Sequence, residues 1–433
     1  MLNFVETYDE FVSLLDKLNS GHSFFQLIYD ERIHPSKAEL IALFVHHKET
    51  NENYVLSFSH PDVVLLDNRC LTKLIDTKCK KYILNKKEAN HFLNVDNFID
   101  LSYDVYVTTL EQITYKYPRF SDIKSVPIMI LKKSFEDTLK LLNSYIGNED
   151  DNNTRLSNNL CKCFYDIETN GVYVNRDTFN LGELSLIDDN NYVYSQYNYY
   201  TPTTRPSNRF AKINFAALNK KKNERDSFVS RFGNEGGIVM IDYESYHLRL
   251  VGDYLNFELP PYSLHEYLGK FYHDKEHLNE EEYEISKKIT FNLIYGGISD
   301  DIKKHIPFMK CVADYVDYMW SEFNNKGYVT TWKYNRKISK EYFTQLNPYK
   351  LFNYIIQSAE TEQNCDMILK LNSRLETYRS KLFLYHYDAF MLDMHIDEFY
   401  LIKDIIKELT DNNKFPLRVY VGNSYGNLKE LKV

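Results

Sequence analysis

Three apolar runs, HSFFQLIYD, AELIALFVHH and NYVLSF, follow one another between residues 22 and 57 with turn-like polar stretches between them. This pattern predicts a small antiparallel sheet. Helical periodicity takes over through about residue 115. From 133 to 165, KSFEDTLKLLNSYI and RLSNNLCKCFYDIE predict two helices split by the polar loop GNEDDNNT. LGELSLIDDNNYVYSQYNYY, within 180–200, predicts a hairpin turning at Asp189 to Asn191. From 236 onward the pattern sharpens: GGIVMID predicts a strand ending in an acid, and helices follow over about 245–254, 263–273 and 281–295. A long amphipathic helix is predicted over 350–377. KLFLYH and AFMLDM then flank a two-residue bend, a tight hairpin with Asp388 at its tip. A helix near 398–410 and the strand PLRVYV close the pattern.

Composition narrows the class. At 433 residues, two or three domains are expected, and 43% hydrophobic with 26% charged residues is a globular balance. The net charge of -9 speaks against a generally basic coat and leaves room for a local basic groove, for which NKKKNER at 219–225 is a candidate. Six scattered cysteines include one C-x-C pair and do not complete a four-ligand zinc set, so reduced thiols in a cytosolic protein are expected. The first residues, MLNFVETYDEF, do not form a signal sequence, and no 18-residue apolar run follows, so no membrane partner is expected.

Asp242 and Asp388 each stand just beyond an apolar strand, where a rigid backbone can aim a carboxylate at the end of a sheet. Alone, each is equally a solvated turn acid. Together they could hold two Mg2+ ions for in-line displacement at phosphorus. The helix EEYEISKKITFNLIYGG adds Lys287, Phe291 and Tyr295 at four-residue spacing on one face. Such a stripe is either core or a nucleotide platform, with an ammonium for phosphates and rings for base and sugar.

Here the sequence resembles the family A (DNA polymerase I type) DNA polymerases, whose K-x-x-x-F-x-x-x-Y-G signature matches Lys287, Phe291, Tyr295 and Gly296. The resemblance runs in order over about 165–433. GVYVN resembles the strand before the thumb, and TPTTRPSNRFAKINFAAL the T-x-T-G-R stretch, with Arg205 at the arginine. Asp242 and Asp388 match the two metal aspartates, His265 the triphosphate-contacting histidine, and Asn353 and Gln357 an Asn/Gln pair on primer-template. The resemblance implies a catalytic role for Asp242, Asp388 and Lys287, with the backbone carbonyl of Tyr243 completing the metal site. It implies nucleotide contacts from His265, Lys287, Phe291, Tyr295 and His247, with Lys287 and His265 neutralising phosphate charge. Arg205, Arg225, Asn353, Gln357, Gly296 and Lys220 to Lys222 are the DNA-contacting residues expected on this basis. Mg2+ is the implied cofactor, two ions, for which Mn2+ can substitute.

The chain departs from the family at several of these points. His247 stands where a glutamate usually blocks a 2′-hydroxyl, Tyr283 where an arginine is expected, and Y-D-A (Tyr387, Asp388, Ala389) where H-D-E is usual. Phe291 implies discrimination against dideoxynucleotides. Fewer than about 30 residues separate GVYVN from TPTTRP, which implies a reduced thumb and distributive synthesis. In the N-terminal region the positions matching an exonuclease D-x-E are Leu27 and Tyr29. Asp30, Glu31, His60 and Asp62 are then surface groups sooner than an alternative site, and DIET at 166–169 is a helical segment of the framework.

The expected architecture is α+β, a right-hand polymerase behind an RNase H-like, exonuclease-like domain. Expected boundaries are 1–110 for a degenerate exonuclease-like domain and 111–236 for the reduced thumb and start of the palm. The palm continues over 237–260, fingers span 261–345, and 346–433 returns to the palm. The implied activity is template-directed DNA synthesis without proofreading, by a monomer acting in the cytoplasm, the host's if the source is viral. Expected partners are primer-template DNA, dNTPs and a processivity or replisome protein. The alternatives are an RNA-directed or ribonucleotide-using polymerase, and a DNA-binding replication accessory with weakened catalysis.

Overall fold

The structure, a computed structural model, describes residues 2–113, 122–219, 222–343, 345–411 and 414–431. The chain divides into two compact units, Met1–Thr169 and Asn170–Val433. The sequence expectation had placed a boundary near residue 110.

The first unit is built on strands β1 (Leu2–Phe4), β2 (His22–Ile28), β3 (Ala42–His47), β4 (Glu52–Ser57), β5 (Lys80–Ile83) and β6 (Phe98–Asp100). Their order is β1-β4-β3-β2-β5-β6. The three apolar runs form the antiparallel β2-β3-β4 meander, which sits inside a larger mixed sheet because β1 adds to β4, and β5 to β2, in parallel. Helices α1 (Tyr8–Lys17), α2 (Arg69–Ile75), α3 (Lys86–Ala89), α4 (Leu101–Thr109), α5 (Ile128–Leu142) and α6 (Asp151–Asn170) accompany it. Strand β2 shows why both faces are covered. Phe24 and Ile28 enter one core with Leu131 and Phe135 of α5, while Phe25 and Leu27 alternate into the other with Phe11 and Leu14 of α1. A capping box between Thr7 and Glu10 sets where α1 begins.

In the second unit, short strands β7 (Val172–Tyr173), β8 (Tyr192–Val193), β9 (Tyr197–Asn198), β10 (Ser207–Phe210) and β11 (Ile213–Asn214) precede the main sheet. The hairpin expected over 180–200 does not form. Tyr192 and Val193 pair back to β7 instead, and β9 pairs with β10, so the Asp189–Asn191 bend closes a longer excursion. The main sheet contains β12 (Gly236–Tyr243), β15 (Lys381–His386), β16 (Ala389–His395), β17 (Leu417–Gly422) and β18 (Lys429–Leu431), in the order β15-β16-β12-β17-β18. It is antiparallel throughout, with β12 at its centre.

Between β12 and β15 lie α7 (Tyr246–Tyr254), α8 (Leu264–His273), α9 (Glu280–Gly296), α10 (Asp300–His305), α11 (Pro307–Lys326), the ribbon of β13 (Tyr328–Thr330) and β14 (Lys337–Ser339), and α12 (Pro348–Leu375). Helix α13 (Phe399–Asp411) follows β16. Leu248, Leu268, Ile294, Val312 and Ile355 bind α7, α8, α9, α11 and α12 into one core. Helix α12 departs from the amphipathic expectation. Its polar residues Glu360, Glu362 and Asn364 are as buried as its apolar ones, so the helix is packed on most of its sides. Among the described residues no helix is long and apolar enough to cross a membrane.

Candidate active site

Strand β12 carries Asp242 at its end, opposite Ala389 of β16 on one side and Arg418 of β17 on the other. Asp388 lies in the adjoining two-residue turn between β15 and β16. Tyr387, at φ +60°, makes that turn possible. The turn is held from three directions. The Tyr243 N–H donates to the Asp388 carbonyl (3.2 Å), Asn364 Nδ2 donates to the Tyr387 carbonyl (2.6 Å), and the Arg205 guanidinium lies 3.7 Å from the Tyr387 ring centroid. Strand pairing and these contacts bring the two carboxylates to one end of the sheet.

Their electrostatics record the crowding. Burial, then the neighbouring Asp388, pushes the Asp242 carboxyl up to about 7, with Arg418 and Lys287 opposing. Burial and then Glu360 push Asp388 upward as well.

After β12 the backbone turns through Ser245, at φ +52°, into α7, which brings His247 to the same place one turn on. Arg249 secures this junction, donating from Nη2 to Glu244 (2.7 Å) and to the carbonyl of Tyr262 (2.9 Å) at the entry to α8. A cavity of about 280 Å3 results, lined by Asp242, Asp388 and His247 together with His265, Lys287 and Tyr295. Phe291 and Tyr295 stack along α9 with ring centroids 5.9 Å apart, and the His265 ring lies 5.5 Å from Phe291. The four-residue stripe of α9 therefore faces the cavity.

Burial pulls the His265 imidazole down to about 4. Burial thus disfavours its charged form in the free protein, while the family resemblance assigns it, with Lys287, to phosphate neutralisation. Its Nδ1 is buried and has no hydrogen-bond partner among the described residues. Arg418, which sequence reasoning missed, also lines the cavity, 3.9 Å from Glu244. Glu360 was missed as well. Its carboxylate, from α12, meets Arg205 Nε at 2.8 Å and His247 Nε2 at 3.3 Å. On the far side of the imidazole, His247 Nδ1 meets the Tyr295 hydroxyl.

No protein-family model matches this sequence, and no curated protein sequence matches it. Among solved structures, the chain is similar to one described as the POL domain of Pol1 from M. smegmatis, in complex with DNA primer-template and dNTP. The match covers 98% of this chain and 99% of that one, at a TM-score of 0.74 and 13% identity. The chain has the fold of a DNA polymerase domain.

Within that polymerase fold, the other predicted residues are placed as follows. Asn353 and Gln357 stand one turn apart on α12 and are joined by a 3.0 Å hydrogen bond, with Gln357 also accepting from Thr203 (3.2 Å). Neither lines the cavity. Arg225 lies away from it too, over the Tyr425 ring at 4.6 Å and donating to the Leu218 carbonyl. Gly296 is exposed with open space where a Cβ would stand, and the backbone that requires glycine is Gly297, at φ +131°. Lys220 and Lys221 lie outside the described residues, and Lys222 is exposed.

In the first unit, Leu27 is buried in β2 and Tyr29 packs on Phe92, ring centroids 4.8 Å apart. Asp30 is bound to Arg32, and Glu31 is exposed. His60 Nε2–H donates to the Val126 carbonyl (2.9 Å), and Asp62 accepts from the Ile128 N–H (3.0 Å), so both tie a loop to the start of α5. Among the described residues no group of three His, Cys, Asp or Glu side chains could hold a metal ion.

A signal for Glu360 did exist. Asn353, Gln357, Glu360 and Asn364 recur at spacings of four, three and four along α12, a polar face that turns inward. A polar face of this kind is ordinarily taken for the solvent side.

Proposed function

We propose that this chain is a template-directed DNA polymerase that adds dNTPs to a primer 3′-hydroxyl by phosphoryl transfer. One observation carries the reading: a chain with a polymerase domain's fold gathers Asp242, Asp388, Lys287, His265, Phe291 and Tyr295 around one cavity. The similar structure, solved with primer-template and dNTP, supports those ligands here.

The two acids suit Mg2+. They are hard oxygen donors whose mutual repulsion in a buried place a dication would relieve, and Mg2+ is held by one or two carboxylates with waters and substrate phosphates, not by a full protein cage. Asp242 and Asp388 would hold it, with the Tyr243 carbonyl as a further oxygen. Bound there, it lowers the pKa of the attacking hydroxyl and neutralises charge on the leaving pyrophosphate. Lys287 and Arg418 supply fixed positive charge for the triphosphate, Arg418 taking over where Tyr283 stands in place of an arginine. His265 contributes a hydrogen-bond donor. The Phe291 and Tyr295 rings face base and sugar, and His247 lies beneath the sugar as the block to a 2′-hydroxyl. Arg225, Asn353 and Gln357 are left for primer-template outside the cavity.

The order β4-β3-β2-β5-β6 supports an RNase H-like first unit, and apolar Leu27 and Tyr29 at the end of β2 support the absence of proofreading. Between β7 and β10 no α-helix lies among the described residues, which supports a short thumb and distributive synthesis.

Primer extension with Mg2+ tests the reading. The parent is expected to extend a DNA primer with dNTPs, and Asp388→Asn to lose at least about a hundredfold in kcat/KM. A parent that binds primer-template without extending it would favour the accessory role. Extension on RNA templates, or with NTPs as efficiently as with dNTPs, would favour the other polymerase class.

A further inference from the structure

We propose that Glu360 is a positioning residue for sugar selection, acting through His247 on Tyr295; this rests on the polymerase reading above. Three elements that are remote in sequence meet at these atoms. Glu360 comes from α12, His247 from α7 and Tyr295 from α9. The Glu360 side chain is 1% exposed and those of Arg205 and His247 are 25% and 13% exposed, so the contacts are made largely out of water.

Burial works to raise the Glu360 carboxyl, yet His247 first and Arg205 second hold it below the usual carboxylate range. An ionised carboxylate 3.3 Å from Nε2 draws a proton to that nitrogen. Nδ1 is then left to accept the Tyr295 hydroxyl. The imidazole is thus contacted at both ends, which favours one orientation of the ring. The Tyr295 phenol, stacked on Phe291, is held with it.

The consequence for a nucleotide is chemical as well as steric. Where His247 lies beneath the sugar, both ring nitrogens already face a group of the protein, Nδ1 the Tyr295 hydroxyl and Nε2 the Glu360 carboxylate. A 2′-hydroxyl pressed against it would lose water and gain no hydrogen bond. Without the Glu360 charge the ring can rotate or change tautomer and offer the hydroxyl an acceptor or a donor. The chain thus carries a carboxylate at the sugar after all, supplied by α12 and acting through a histidine.

The test is a mutant cycle. kcat/KM for dATP and for ATP is measured on one DNA primer-template for the parent, Glu360→Gln, Tyr295→Phe and the double variant. Glu360→Gln is expected to lower the dATP:ATP ratio about tenfold, chiefly by raising kcat/KM for ATP. The double variant is expected to lie within about twofold of the single variant with the lower ratio, because both break one chain of contacts. A parental ratio in Glu360→Gln, an equal loss with both nucleotides, or two effects that multiply would each overturn the proposal. If Glu360→Gln does not fold, Glu360→Asp keeps a charge for Arg205 and withdraws it from His247. It is expected to lower the ratio about threefold or more, and a parental ratio would again be fatal. A parent that incorporates neither nucleotide overturns the polymerase reading itself and this proposal with it, whereas an active parent with an indifferent Glu360 overturns only the proposal.

Discussion

Both units bury carboxylates, and they do opposite things with them. In the first unit Glu168 of α6 is fully buried with its oxygen 2.6 Å from the Lys87 ammonium, itself 2% exposed. Lys86 beside it is consumed by the carbonyls of Asp96 and Phe98 and by Asn158. In the second unit Asp242 faces Asp388, and its balancing cations, Arg418 and Lys287, line the same open cavity. A buried acid matched in the interior is architecture. A buried acid left to repel its neighbour beside a cavity is poised for a ligand that brings the missing charge.

Substitution should separate the two cases, most sharply where activity is read. Asp242→Asn is expected to cut primer extension at least about a hundredfold while its melting temperature stays at or above the parent's. A variant that melts earlier would place Asp242 with the architectural acids. Glu168→Ala should do the reverse, leaving the buried Lys87 with only the 3.1 Å contact to Glu88, at a cost of about 3 kcal/mol in chemical denaturation. A loss below about 1 kcal/mol would remove the contrast between the units.

The pH dependence of stability offers a finer distinction. The Asp242 carboxyl is raised in the folded protein to about 7, so the fold favours its protonated form. That contribution is complete below the unfolded carboxylate value near 4 and is lost as pH rises from about 4 through about 7. With divalent ions chelated, the parent should lose about 4 kcal/mol relative to Asp242→Asn between pH 4 and pH 8. Parallel stability curves would show that Asp242 is not strained in the free protein. The smallest effect concerns the balancing charge. Arg418→Ala is expected to raise KM for dNTP about tenfold, and Tyr283→Arg in that background to recover part of the loss. Failure of that recovery would mean that Arg418 serves Asp242 and not the triphosphate.

How much of this could be read along the chain varied with the range of the interactions. Asp242 and Asp388 stood out because strand-ending acids are local patterns, and Lys287, Phe291 and Tyr295 because one helix turn brings them into line. The placement of all five around one cavity follows from the β12–β16 pairing and the seating of α9. The hairpin at 180–200 was misread because Tyr192 and Val193 have two apolar neighbourhoods to choose from, and pairing with β7 buries Val193 beside Val172. The burial of His265 was not legible along the chain because it depends on α8 and α9 closing over it.

From residue order alone came the candidate acids, the nucleotide-facing stripe, the broken exonuclease pattern at Leu27 and Tyr29, and the unusual His247. Each rests on neighbours within a turn or a strand, where periodicity sets direction. The partnership of Glu360 with His247 and Arg205, the presence of Arg418 at the acids, and the burial of His265 belong to the tertiary structure. They depend on desolvation and on charges that meet across more than a hundred residues, as Glu360 and His247 do. Helical and strand periodicity orient a side chain relative to its own element, and packing alone determines what it meets there.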